Sequence, residues 1–490
     1  MSDATVVHRL AALADAESDR LGFDVAGARR TWGELFAGAR RAAAGLVACG
    51  AGPGDRVALV LGTTPEVIEL LFGAELVGAV PMIVNPSLPA QAIARRVALV
   101  GARVVVDADN VKGLVDRAPL VPDRLPAPDD LAYLQLTSGT TGEPHAAMIR
   151  HRSLTASLAA SRVRLEITST DVLASWVPLH HDLGLVRFVF LPVFLGLPCH
   201  LLTPSLVNLR AWLATMTRVG ATITGAPDFA YRIAARTVDP VGLDLSALRF
   251  ATNGGEPVRA STVGAFEARF GLKDVVRPAY GLAEATLGVC SCRPGEPLRV
   301  DTSGAVSCGP AYDGIEVRVV DGAIEVRGEP VFAGYFGDDE ATRAAFTEDG
   351  WLRTGDTGRL DADGHLVVLG RTRAMIKRAG ALIAPRELEE AADRVPGVRL
   401  SAAVGVPRDH DGTEDVVVVV EARPELAPEE RQALVRRVMD AVTRATGVSP
   451  GRILVAGPRT IPLTANGKIR HAVLRAIVAA GELDAAIADS

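Results

Sequence analysis

Between residues 56 and 106, short and continuously apolar runs (57–61, 80–84, 104–106) alternate with amphipathic stretches (66–77 and 90–100). Apolar runs of that length predict strands buried on both faces, and the stretches between them carry apolar residues at helical spacing. A β-α-β-α-β order commits this part of the chain to a parallel sheet with helices packed against it. The chain is 490 residues long and 48% hydrophobic, more than one core holds, so at least two domains are expected. Pro119, Pro122, Pro126 and Pro128 form a stiff connector into the apolar run 133–136, and a second helix and strand series, including 209–218 and 221–224, continues to about residue 280.

Beyond Cys308 the texture changes to short strands at 315–320 and 323–326, and 358–370 reads as a hairpin turning at Asp363-Gly364. After Arg371 the face of Leu388, Ala392 and Val395, the buried run 416–420 and the stripe of Leu434, Val438 and Val442 predict a compact α+β unit. The expected fold class is α/β, with a domain at 1–370 and a smaller one at 371–490. The net charge of −6 leaves no electrostatic footprint for nucleic acid. No secretory leader or stretch of about 18 unbroken apolar residues is visible, so a cytoplasmic address without a membrane span is expected. The most apolar segment, 188–199, is interrupted by Pro192 and Pro198 and suits a core or a pocket wall. Cys49, Cys199, Cys290, Cys292 and Cys308 lack paired spacing and read as reduced core or pocket residues.

Chemistry concentrates in a few segments. Thr137-Ser138-Gly139-Thr140-Thr141-Gly142-Glu143-Pro144 follows a predicted buried strand. A loop dense in glycine and hydroxyl residues can wrap backbone N–H groups around phosphate oxygens. It lacks the Gly-Lys-Ser/Thr ending of a Walker loop. Asn253-Gly254-Gly255-Glu256-Pro257 and Tyr280-Gly281-Leu282-Ala283-Glu284-Ala285-Thr286 follow apolar segments; there an aromatic ring can stack on a base and a carboxylate can hold Mg²⁺. Asp356, in Trp351-Leu352-Arg353-Thr354-Gly355-Asp356, offers an acceptor for ribose hydroxyls, Arg371 a guanidinium, and the turn at 463–468 ends on Lys468. Each residue alone has a bland reading as a core aromatic, a cap or a solvated charge, but five such segments in one chain argue for a nucleotide site.

In this order and spacing the motifs resemble the adenylate-forming superfamily of acyl-CoA synthetases, peptide-synthetase adenylation domains and luciferases, over almost the whole chain. The resemblance implies a large N-terminal domain of layered αβαβα sheets with a small β-barrel-like unit, a hinge, and a small mobile C-terminal lid. It implies that Tyr280 stacks on adenine, Glu284 holds Mg²⁺, Asp356 and Arg371 bind ribose, and Lys468 bridges the acid carboxylate and the α-phosphate. Attack of a carboxylate on ATP brings two anions together, so a lysine and a metal at the developing charge would supply the catalysis.

The segments 175–185 and 225–231 resemble the fatty acyl-AMP ligase branch, which puts His181, Gly225, Ala226, Pro227 and Phe229 at an acyl pocket, with His181 at its entrance. A metal site at His180, His181 and Asp182 is the weaker reading, because adjacent residues rarely point at one ion. That branch typically carries a long insertion after the tyrosine motif, whereas about twenty residues separate Ala285 from Cys308, which is similar to CoA ligases. The expected cofactors and partners are therefore ATP or acyl-AMP, Mg²⁺, a hydrophobic carboxylic acid and CoA, with an acyl-carrier protein as the alternative acceptor.

Three departures from the family pattern stand out. The phosphate loop normally continues Pro-Lys-Gly, but here Pro144 is followed by His145 and Ala146; histidine lacks lysine's fixed charge, and a methyl replaces the glycine where backbone approaches phosphate. These changes touch only the adenylation half-reaction, which leads to the expectation of weak adenylation, or of acyl-AMP supplied by a separate enzyme. At the hinge Arg373 and Ala374 replace the usual acidic or lysine residue and aspartate. The loop holding Lys377, Arg378 and Gly380, placed by resemblance beside the CoA path, carries Leu382 where a polar residue is usual. Two other classes compete: a non-catalytic nucleotide-binding partner, supported by the altered loop, and an amino-acid-loading domain with Asp228 as the ammonium acceptor.

Overall fold

Strand and helix boundaries follow the chemistry of the chain. Thr31 and Glu34 form a reciprocal cap, Glu34 N donating to Thr31 Oγ1 and Thr31 N to Glu34 Oε2, and so start the helix Trp32–Ala48. Pro65 opens Pro65–Leu76 from the first turn, where its missing N–H costs no hydrogen bond. The computed structural model describes residues 4–122, 124–138, 144–205, 208–301, 304–378, 381–407, 414–463 and 469–483, with backbone only for Ser138, Arg373, Ala381, Leu382 and Pro428.

The alternation read at 56–106 is a three-stranded parallel sheet with Arg56–Leu59 between Val80–Ile83 and Val104–Val106. A larger eight-stranded sheet runs in the order Leu287–Ser291, Val276–Leu282, Phe250–Gly254, Ile223–Ala226, Leu173–Ser175, Cys199–Leu201, Leu21–Val25, Ala28–Thr31. Its central strands are parallel. The hairpin Leu131–Ser138 and Pro144–Arg150 lies in its own two-stranded sheet. The small β unit is a four-stranded antiparallel sheet, Ile315–Val320, Ala323–Gly328, Leu352–Leu360 and Leu366–Arg371. Farther on, Val398–Pro407, Glu414–Ala422 and Arg452–Ala456 form a sheet packed with Pro385–Asp393 and Pro428–Thr446.

Among the described residues the buried apolar clusters lie either at or before residue 366 or at and after residue 376. The apolar segment near 188 is core: Leu183–Phe190 is a π-helix that continues into Leu191–Leu195. Cys199, Cys290, Cys292 and Cys308 are buried, but Cys49 is exposed at the end of Trp32–Ala48, a correction to its reading as a core residue. Among the described residues no helix is long and apolar enough to cross a membrane.

His151 opens the helix His151–Arg164 and is buried, and neither ring nitrogen has a hydrogen-bond partner among the described residues. Burial pulls its pKa from 6.5 to about 4, with Asp130 raising it and His8 lowering it further. Between those values the unfolded chain binds more protons than the folded one. The stability is therefore complete above pH 6.5 and declines as pH falls towards 4. This group should cost about 2 kcal/mol at pH 5 relative to pH 7.5. Urea unfolding of His151→Leu should show that share of the acid sensitivity gone; an unchanged pH slope would contradict the assignment.

Candidate functional site

Side chains just past the carboxyl ends of parallel strands have no ladder to join and point into the crevice outside the sheet. Leu173–Ser175, Ile223–Ala226, Phe250–Gly254 and Val276–Leu282 end at the same edge, and the segments that follow them meet there. A cavity of about 360 Å³ lies at this edge, walled by Trp176, His180, His181, Pro227, Phe229 and the Gly254-Gly255 pair. Phe229 meets Trp176 edge-on at 6.4 Å. His181, Pro227 and Phe229, read as acyl-binding, thus share the wall of this cavity. Gly225 and Ala226 lie within the buried strand beneath, where a Cβ on Gly225 would come within 3.2 Å of Thr252. The His180 and His181 rings pack at 4.5 Å, and burial pulls the His180 pKa to about 4, which leaves a neutral imidazole facing the cavity. Gln135 Nε2 donates to His180 O at 3.0 Å and ties this segment to the strand Leu131–Ser138, which precedes the loop read as phosphate-binding.

At the next strand end the Tyr280 hydroxyl donates to Asp356 Oδ2 at 2.6 Å, and Asp356 Oδ1 lies 3.0 Å from Arg371 Nε. Burial raises the Asp356 carboxyl above its usual range, opposed by Arg371 and the Tyr280 hydroxyl, and holds the Tyr280 phenol well above its own. Three side chains that are distant in the chain therefore form one polar group. Gly281 makes the turn beside it possible, because a Cβ there would sit 1.6 Å from Leu287 O. Leu282 is buried and Ala283 begins the short 3-10 turn Ala283–Ala285.

Glu284 extends this group. Tyr335 Oη donates to Glu284 Oε1 at 2.8 Å, the Tyr335 ring packs on His145 at 4.9 Å, and His145 Nδ1 lies 3.5 Å from Asp338 Oδ2. Burial, then Glu284, raises the Tyr335 phenol above its usual range. Mg²⁺ is usually held by one or two carboxylates together with substrate phosphates, so the single carboxylate of Glu284 fits that role. Tyr335, Asp338 and Gln135 did not stand out in the sequence, because the stretch 332–338 reads as an ordinary turn and Gln135 as a strand residue.

Other expected residues take different places. Asn253 is fully buried and its amide donates to Asp228 Oδ1 at 3.0 Å, while Glu256 Oε1 accepts from Phe229 N at 2.6 Å. Pro257 is exposed, and Thr137, half-buried, pairs with His145 across the hairpin. Asp228 also accepts from Arg259 N and Thr262 Oγ1, so its carboxylate is occupied inside the protein, which removes the support for ammonium recognition. Ala146 is buried in the cluster with Ala58, Val80 and Leu134, so its methyl packs into the core. Lys377 is exposed, its N donating to Glu414 Oε2, and Arg378 Nη1 donates to Ser449 O at 2.6 Å. Arg373 lies in the turn Thr372–Ala374. Gly139, Thr140, Thr141, Gly142, Gly380 and Lys468 lie outside the described residues, as does the side chain of Ser138.

A family model described as AMP-binding enzyme matches residues 10–336. A ligase of Mycobacterium tuberculosis is 33% identical over 91% of this chain and 94% of its own. A medium-chain-fatty-acid–[acyl-carrier-protein] ligase of Moorena producens is 32% identical over 73% of this chain and 69% of its own, and a fatty-acid–CoA ligase of Mycobacterium bovis 33% identical over 70% and 69%. The crystal structure of an ATP-bound RpMatB-BxBclM chimera superposes with a TM-score of 0.86 at 26% identity, covering 98% of this chain and 99% of that one.

Proposed function

The chain belongs to the family of AMP-binding enzymes, the adenylate-forming ligases, and we propose that it joins a bulky hydrophobic carboxylic acid to CoA through an acyl-AMP intermediate. The observation that carries this reading is a shared wall. Gly254 and Gly255, from a segment read as nucleotide-binding, line the same cavity as His181, Pro227 and Phe229, read as acyl-binding. An acid held there brings its carboxylate to the nucleotide, which is the proximity that acyl-AMP formation requires.

In this reading residues 1–370 bind the acyl group and nucleotide, with Tyr280 against adenine and Asp356 and Arg371 at ribose. The separate apolar clusters before and after the turn Thr372–Ala374 support 371–490 as a mobile lid that pivots at Arg373 and carries Lys468 to the carboxylate and α-phosphate. Glu284 would hold Mg²⁺, whose chemistry is to neutralise phosphate charge. Lys377 and Arg378 would border the path of the CoA arm, a role the family resemblance extends to Gly380, and the setting is cytoplasmic. Likeness to an ATP-bound structure over nearly the full length supports reading the present domain arrangement as the adenylating one.

Adenylation is the weaker half-reaction in this proposal. His145 stands in the lysine position and packs between Tyr335 and Asp338, so that position offers no fixed positive charge to the pyrophosphate. Acyl-AMP from another enzyme is then a natural substrate. The relatives divide between CoA and carrier-protein ligases, so a carrier protein is the second reading for the acceptor. The test compares acid-dependent ATP–pyrophosphate exchange with thioester formation from synthetic dodecanoyl-AMP, offering CoA and then a phosphopantetheinylated carrier protein. Slow exchange beside ready CoA thioester formation is expected. Brisk exchange would sink the weak-adenylation part, and failure of both thiols to react would sink the thioester-forming reading.

A further inference from the structure

Arg259 follows the Glu256-Pro257 segment and is largely buried among carboxylates from both parts of the molecule. Its guanidinium lies 3.9 Å from Asp228, 3.9 Å from Glu389 and 3.5 Å from Asp393. Asp228 belongs to the cavity side, next to Pro227 and Phe229, whereas Glu389 and Asp393 lie on the helix Pro385–Asp393. Glu389 Oε1 in turn lies 2.7 Å from His471 Nε2 and accepts from Ala403 N. The same helix grips the neighbouring backbone through Arg386, which donates to Val258 O and to Val368 O. His471 stands three residues after Lys468, and the flanks of that segment are pinned: Leu463 pairs with Ile469, and Arg470 N donates to Pro462 O.

The charges sort themselves when the two parts are considered separately. A buried ion is costly unless paired. If the lid moved away, Asp228 would keep Arg259 on one side and Glu389 would keep His471 on the other, while Asp393 retains the hydroxyl of Ser401 at 2.8 Å. Each side thus keeps one polar partner of its own, Asp228 for Arg259 and His471 for Glu389, so the contact can part without stranding Arg259 or Glu389.

We propose that Arg259, facing Asp228 on one side and Glu389, Asp393 and His471 on the other, is an ionic latch that positions the lid for the adenylation half-reaction and releases it for thioester formation. These are positioning residues. The proposal rests on the two-position reading of the lid given above. It requires opposite effects from two substitutions. Arg259→Gln removes the cation that faces Asp228, Glu389 and Asp393 together and leaves Arg232 to offset only part of the charge of Asp228 and Asp393, which opens the latch. His471→Gln keeps a donor at the Nε2 position but cannot take up the proton that Glu389 favours there, so Arg259 becomes the main counterion of Glu389 and the latch tightens.

The ratio of dodecanoyl-AMP formation from dodecanoic acid and ATP to thioester formation from synthetic dodecanoyl-AMP and CoA should fall about tenfold in Arg259→Gln and rise about tenfold in His471→Gln, the scale of one charge-assisted hydrogen bond. Arg259→Lys should recover part of the loss. Energy transfer between dyes on the exposed Cys49 and on a Glu482→Cys variant reports lid position without chemistry. It should move in opposite directions for the two variants. Ratios that move the same way, or dye distances equal to wild type in both, overturn the latch. Absence of both half-reactions in the wild type overturns the ligase reading instead.

Discussion

Exchange of Asp356 for alanine should weaken binding of AMP and of acyl-adenylates by about 100-fold or more, the cost of two charge-assisted hydrogen bonds to ribose hydroxyls. The geometry makes this side chain the centre of its group. One carboxylate oxygen accepts from Tyr280 and the other faces Arg371, yet a carboxylate has about four acceptor positions, so sites remain for a ligand. Removing it also frees the Tyr280 hydroxyl and deprives Arg371 of its counterion, so both should lose their set orientation. Calorimetric titration with AMP measures the effect, and a thermal melt of the unliganded variant separates it from unfolding. Asp356→Asn keeps the shape but not the charge and should fall between. An alanine variant that binds AMP within threefold of wild type would remove Asp356 from the nucleotide site.

The second large effect runs in the direction of gain. His145→Lys should raise ATP–pyrophosphate exchange by roughly 10 to 150-fold, the range for one added charge-assisted contact. Asp338, 3.5 Å from His145 Nδ1, would compete for the new ammonium, so His145→Lys combined with Asp338→Asn should exceed the single variant. Thioester formation from synthetic acyl-AMP involves no pyrophosphate and serves as the internal reference, so the ratio of the two rates is the quantity that should rise. Exchange that stays at the wild-type level in both variants would show that the histidine is not what limits adenylation.

Much of the architecture was legible because the chain uses unambiguous signals. The runs at 56–106 became strands and helices within a few residues of their expected ends, and Asp363-Gly364 does turn the hairpin Leu352–Leu360 to Leu366–Arg371. What periodicity does not encode is lateral order: Leu21–Val25 pairs with Cys199–Leu201, more than 170 residues away, through backbone bonds that carry little residue identity. One polar group of the candidate site was legible for a different reason. Tyr280, Asp356 and Arg371 stood out because their motifs combine glycine with a chemically distinctive side chain, and they do come together. Asn253, Asp228 and Ala146 carried equally suggestive identities, but their side chains turn inward to partners or to the core, and a one-residue alternation of direction is not marked by residue type. Tyr335 and Arg259 were overlooked for the converse reason: their importance lies in distant neighbours, Glu284 for one, Glu389 and Asp393 for the other.

The placement of the cavity at the carboxyl ends of parallel strands bears on how such a protein can diversify. The hydrogen-bonded ladder from Ile223–Ala226 through Phe250–Gly254 to Val276–Leu282 stops where the cavity begins, so residues that meet a guest, the half-buried Pro227 among them, lie beyond the last ladder bonds. New preferences can therefore be tried out at the tips while the scaffold that sets the distance between guest and nucleotide stays as it was, and altered taste need not carry a penalty in foldedness.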